Sequence, residues 1–126
     1  MYCKQLTLQS KVLYTTYMLK TESQRTALCT TCPIAKVADL VGDSCIILII
    51  RDLLTKEPRR FGDFIESLSG ISSRTITKKL KYLEEHCIIK RAEFNERPPR
   101  VEYSLTKKGH QLSTLLKEME KYGKKL

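Results

Sequence analysis

The stretch Arg59-Arg60-Phe61-Gly62-Asp63-Phe64-Ile65-Glu66-Ser67-Leu68-Ser69-Gly70-Ile71-Ser72-Ser73-Arg74-Thr75-Ile76-Thr77-Lys78-Lys79-Leu80-Lys81-Tyr82-Leu83-Glu84-Glu85-His86 decides the fold. Phe61, Phe64 or Ile65, and Leu68 define a short helix. Ser69-Gly70-Ile71-Ser72 reads as a tight turn containing glycine, and Ser72 is the expected N-cap of a longer helix running to about His86. Two helices joined by such a turn are the outline of a helix-turn-helix. In the second helix Ile76, Leu80, Leu83 and Cys87 share a narrow arc at about 100° per residue, a face to bury. Opposite them, at roughly 140–200° by the same period, fall Arg74, Lys78, Lys81 and Glu85, flanked by Ser73, Thr77 and Lys79. A helix with an apolar back and Arg, Lys and short hydroxyls in front can enter a DNA major groove, with Arg74 able to fork onto a guanine edge. Arg59 and Arg60, just before the first helix, are candidates to clamp the phosphate backbone.

Downstream, residues 88–94 and 100–105 alternate in strand fashion around the loop Asn95-Glu96-Arg97-Pro98-Pro99, whose prolines stand outside any ladder. This hairpin carries Lys90, Arg91, Arg97 and Arg100, and Arg97 and Arg100 are the expected wing contacts. Thr106 then caps a terminal helix bearing Leu112, Leu115, Leu116 and Met119. Upstream, Pro33 suits a first helical turn, Ile34, Val37, Ala38 and Val41 form its stripe, and Gly42 ends it. The run Cys45 to Leu54 is apolar nearly all round, as in a helix buried at a domain centre. The predicted fold is therefore mainly α with a small β-hairpin wing, a winged helix-turn-helix over residues 29–126. Residues 1–28 form a separate N-terminal segment. Leu6, Leu8, Val12, Leu13, Tyr17 and Leu19 recur there at helical spacing, so it reads as either a frayed arm or an extra helix packing in a dimer.

Composition narrows the function classes. The 126 residues suit one domain, and the net charge of +9 is lopsided. Residues 1–58 hold 7 basic and 5 acidic side chains, whereas residues 59–126 hold 16 and 9. An excess gathered beside the turn and wing points to a polyanionic partner. Asp39, Asp43 and Asp52 interrupt the most apolar stretch, so no bilayer-spanning run is read and no membrane partner is expected. The N-terminus lacks the apolar middle and cleavage site of a secretory signal. Five cysteines at irregular spacing do not make a secreted disulfide scaffold, so a cytoplasmic protein with reduced thiols is expected.

Cys29-Thr30-Thr31-Cys32 is a CxxC, with Cys32 just before Pro33 at a helix start, where the helix dipole favours thiolate. Both a redox or electrophile switch and an inert thiol fit that placement. One CxxC supplies two of four zinc ligands, and Cys3, Cys45, Cys87 and His86 offer no second paired spacing. Cys45 and Cys87 lie on apolar stripes and read as core. No metal and no cofactor are expected, and neither histidine has a catalytic partner, so the chain does not read as an enzyme.

Taken together, Cys32-Pro33-Ile34, Leu40-Val41-Gly42, Arg59-Arg60-Phe61-Gly62-Asp63-Phe64, Gly70-Ile71-Ser72, Thr77-Lys78-Lys79-Leu80, Leu83-Glu84-Glu85 and Pro98-Pro99-Arg100-Val101-Glu102-Tyr103-Ser104-Leu105-Thr106 resemble the HxlR-type regulators. These are small winged-helix relatives of the MarR group, and the match covers about residues 32–123. The resemblance implies a homodimer on a pseudo-palindromic operator in double-stranded DNA, joined through helices outside the helix-turn-helix. It also implies, as in several members, sensing of an electrophile or oxidant at the cysteine matched by Cys32. The family's usual Trp is here Cys45, which adds a second thiol near the first helix; Cys29 and Cys45 are the candidate pairing partners. The first expectation is a transcriptional regulator. The alternatives are a CxxC thiol-disulfide or thiol-metal module, and a winged helix used for protein contacts only.

Overall fold

The structure, a computed structural model, describes residues 32–126; the expected N-terminal segment 1–28 and Cys29 lie outside the described residues. The chain divides into two units, residues 1–42 and 43–126. In the first, Pro33–Val41 form α1, with Pro33 in the opening turn as its sequence dictates. Cys32 is the N-cap, its sulfur accepting the Ala35 amide at 3.5 Å. The expected α1 stripe is buried only at Val41; Ile34 is 80% and Val37 41% exposed. Gly42 ends the helix with φ −69°, not in the left-handed form expected of a terminating glycine. Its lack of a side chain has another cause, since a Cβ there would lie 2.3 Å from the Ala38 carbonyl oxygen.

In the second unit α2 (Ser44–Thr55) starts at Asp43, whose Oδ1 accepts the amides of Cys45 at 2.9 Å and Ile46 at 3.2 Å. Its inner face, including Ile49, Ile50 and Leu53, is the centre of the core. Packed against α2 are α3 (Phe61–Ser67), α4 (Ser73–Glu85) and, of the hairpin β1 (Ile89–Phe94) and β2 (Arg100–Leu105), strand β2, while β1 lies against α4. Phe64, Ile76, Leu80, Leu83, Ile88 and Leu105 complete the core, each buried side chain contributing about 1.5–3 kcal/mol by its removal from water. The expectation that α2 is covered all round is corrected, because Ile47, Leu48 and Leu54 are only half-buried.

The turn between α3 and α4 matches its sequence reading. Gly70 adopts φ +100°, a conformation that side chains resist, and Ser72 caps α4 by accepting the Thr75 amide at 3.2 Å. At the other end of α4 the Ile88 amide reaches the Leu83 carbonyl and the Cys87 amide the Glu84 carbonyl, a Schellman closure. Cys87 takes the left-handed position of that closure at φ 58° and is exposed, which corrects its reading as core. The helix has already turned away by then, so residue 87 no longer continues the buried arc.

β1 and β2 pair antiparallel with Ile89 opposite Leu105 and Phe94 opposite Arg100. Arg59 adds a backbone bridge to Tyr103, donating at 2.9 Å and accepting at 2.7 Å, which moors the stem before α3 to the wing. The single terminal helix expected after Thr106 is instead two, α5 (Lys107–His110) and α6 (Ser113–Gly123), broken at Gln111-Leu112 by a tight Leu112-to-Gly109 hydrogen bond. Among the described residues no helix is long and apolar enough to cross a membrane.

Candidate nucleic-acid interface

Burial of Ile76, Leu80 and Leu83 fixes which side of α4 faces out. Ser73, Arg74, Thr77, Lys78, Lys81 and Glu85 are all exposed on that outer side. Arg74, Lys78 and Lys81 form no ion pair among the described residues. Two of the hydroxyls are occupied within the helix. Ser72 Oγ serves the N-cap, and Thr77 Oγ1 donates to the Ser73 carbonyl at 2.8 Å. Lys79, read from sequence as a flanking cation, is instead bound to Asp43 Oδ2 at 3.0 Å. Asp43 was missed in the sequence, although an Asp directly before an apolar run is a cap signal.

The stem and wing sort their arginines in the same way. Arg60 is exposed, and its amide donates to the Asp63 carboxylate at 2.8 Å while its guanidinium forms no ion pair among the described residues. Arg59 spends its Nε on the carbonyls of Asp52 at 2.8 Å and Lys56 at 3.2 Å, closing the end of α2. In the wing Arg97 is exposed at the loop, whereas Arg100 is tied down. Its guanidinium lies 4.3 Å from the Phe94 ring centre, 3.2 Å from Glu96 and 3.5 Å from Glu102. Arg91 pairs with Glu93 at 3.2 Å, leaving Lys90 and Arg97 as the unpaired wing cations among the described residues. An open crevice of about 360 Å³ lies between the stem and the wing loop, lined by Arg60, Gly62, Arg97 and Pro98 among others.

The three described cysteines differ. Cys32 is half-buried at the start of α1, Cys87 is exposed, and Cys45 is buried. Burial pushes the Cys45 thiol above its ordinary pKa, and the neighbouring Asp43 charge adds to the rise against the pull of Lys79. That combination disfavours the thiolate form of Cys45. Among the described residues no group of three or more His, Cys, Asp and Glu side chains is placed to hold a metal ion.

Away from the cationic side, Ile47, Leu48, Leu54, Leu116 and Met119 line an open groove of about 740 Å³ between α2 and α6. α6 has no fully buried residue, and its Met119 and Tyr122 are 42% and 66% exposed.

Comparison with known proteins agrees with this geometry. Residues 40–126 match the family model of the HxlR-like helix-turn-helix. Over 92 residues the chain is 45% identical to the uncharacterised HTH-type transcriptional regulator sll1512 of Synechocystis sp., covering 73% of this chain and 67% of that protein. A solved structure of a transcriptional regulator of the MarR family from Porphyromonas gingivalis W83 is 33% identical and superposes with a TM-score of 0.69, covering 73% of this chain and 89% of the other. The redox regulator HypR in its oxidised form is 28% identical with a TM-score of 0.71, covering 75% of this chain and 97% of its own.

Proposed function

Because this chain belongs to the HxlR-like helix-turn-helix family, we propose that the outer side of α4 reads operator DNA in a homodimeric, sequence-specific regulator. The chain is a helix-turn-helix transcriptional regulator, and its family and relatives are regulators and not enzymes. The observation that carries the DNA reading is the sorting of charge on α4. Lys79 is neutralised by Asp43, while Arg74, Lys78 and Lys81 project together without carboxylate partners among the described residues. Unpaired cations on an exposed helix face repel one another unless a polyanion comes to them.

In this reading Arg74 and Lys78 address base edges, helped by Ser73, and Lys81 follows the groove toward a phosphate. Ser72 and Thr77 orient the helix through the bonds they already make. Arg60 and Arg97 grip the backbone on either side of the stem–wing crevice. Arg100 stiffens the wing beneath Arg97, and Arg59 keeps its terminal nitrogens for a phosphate while its Nε holds α2. The apolar faces left open on α1 and α6 are where a second copy packs, which sets two α4 helices against a pseudo-palindromic site. A reduced cytoplasm suits the free thiols.

Arg74→Ala is expected to cost about 1–3 kcal/mol on the preferred duplex and little on random sequence, whereas Arg97→Ala weakens both and lowers the salt slope by about one. Fluorescence anisotropy over a salt series measures this, and equal losses on both duplexes for Arg74→Ala would remove it from base reading. No preference for any duplex would instead favour a winged helix kept for protein contacts.

Regulation by Cys32 is the second element of the proposal. It is supported by the thiol's place as the α1 cap and by likeness to a protein described as a redox regulator. Oxidation or alkylation takes the sulfur away from the Ala35 amide and loosens the first turn of α1. Cys29 is the better pairing partner, since Cys45 is buried and its thiolate form is disfavoured. Wild-type DNA binding is expected to respond to diamide and Cys32→Ser binding to ignore it. An identical response in both would end the switch.

A further inference from the structure

We propose that Lys79 is a positioning residue for DNA recognition, held by Asp43 so as to set the rotation of α4, and that it does not itself touch nucleic acid. This inference rests on the DNA-binding reading above. Lys79 lies about 60° of helical arc from Ile76, between the buried and outward sides of α4. Its ammonium is 3.0 Å from Asp43 Oδ2, and its side chain is 30% exposed. The other oxygen of that carboxylate, Oδ1, caps α2 through the amides of Cys45 and Ile46. One carboxylate therefore ties the first turn of the central helix to the flank of the outward-facing one.

The electrostatics of the pair agree. Burial alone pushes the Asp43 carboxyl up, but the Lys79 hydrogen bond, the Ile46 and Cys45 amides and the Lys79 charge outweigh it and hold the group below its ordinary value. Asp43 is thus fully ionised at neutral pH.

Such a tie refines what the core supplies. Contacts among Ile76, Leu80, Leu83 and the face of α2 set which side of α4 faces out, but being apolar and non-directional they hold its fine roll less tightly than a directional bond does. A roll of roughly 10° swings the tip of an Arg side chain by about 1–2 Å, beyond the tolerance of a forked contact to a base. A directional ion pair on the flank resists that roll. It also takes Lys79 out of the cationic run Lys78, Lys79 and Lys81, in which the sequence alone places it as a flanking cation.

The test titrates wild type, Lys79→Met, Asp43→Asn and the double variant with a selected operator and with random duplex over a salt series. Asn preserves the cap of α2 while removing the charge, so only the ion pair is lost. Each single variant is expected to bind the operator about two- to fivefold more weakly, and the double variant no more weakly than either. Affinity for random duplex and the salt slope stay at wild-type values, and Lys79→Arg restores operator affinity. The proposal is overturned if Lys79→Met weakens both duplexes and lowers the salt slope by about one while Asp43→Asn is harmless, the signature of a phosphate contact. Equal operator affinity across all four proteins overturns it as well. A wild type with no preference between the duplexes removes the DNA-binding reading itself.

Discussion

Helices α2 and α4 both contribute to the core of residues 43–126, yet their uncovered sides offer different things. α4 buries Ile76, Leu80 and Leu83 and turns Arg74, Lys78 and Lys81 to solvent. α2 buries Ile49, Ile50 and Leu53 and leaves Ile47, Leu48 and Leu54 half covered beside Leu116 and Met119 of α6. The first free side suits a polyanion, and the second suits another apolar surface. Placed on one small domain, they would, in the proposed function, separate DNA reading from assembly. The lesson is chemical: charge labels the free side of α4 residue by residue, while an apolar run carries no label saying which side stays uncovered.

Loss of the shared core has the largest expected effect on both helices. Leu80→Ala removes a side chain wedged under α4 and is expected to cost about 2–5 kcal/mol in urea melts. A loss below about 1 kcal/mol would mean that α4 is not anchored as described. The apolar side is tested more gently by Met119→Glu, which places a charge on the groove-lining side of α6 without touching the buried core. Self-association is expected to weaken about tenfold, roughly 1.4 kcal/mol, in sedimentation equilibrium, with the thermal midpoint of dilute protein little changed. Unaltered association would place the subunit contact elsewhere.

Much of the fold was legible in the sequence because its signals were local. Pro33, Ser72 and Thr106 mark helix starts, Gly70 marks the turn, and Pro98-Pro99 mark the hairpin loop. The outward side of α4 followed from periodicity alone. Long-range pairing was not legible. Nothing near Lys79 in the chain announces that Asp43 will neutralise it, and of the groups that hold Arg100 only Phe94 comes from the opposite strand, whereas Glu96 and Glu102 lie within four residues of it. Cys87 was misread because the period of α4 was carried one turn too far, past a backbone reversal that usually advertises itself with glycine. The stripe of α1 was read correctly as one helix face, and its exposure was not legible, since amphipathicity shows that a face is apolar without showing what covers it.

In the proposed homodimer two copies of α4 read one duplex together. Selection of bound sequences from a random duplex pool, run with the full-length protein, tests it most directly. The expected result is enrichment of an inverted repeat whose half-sites lie about one helical turn apart, roughly 10 base pairs, and loss of that enrichment in Arg74→Ala. A pool that emerges unenriched, or enriched identically by wild type and Arg74→Ala, would contradict it.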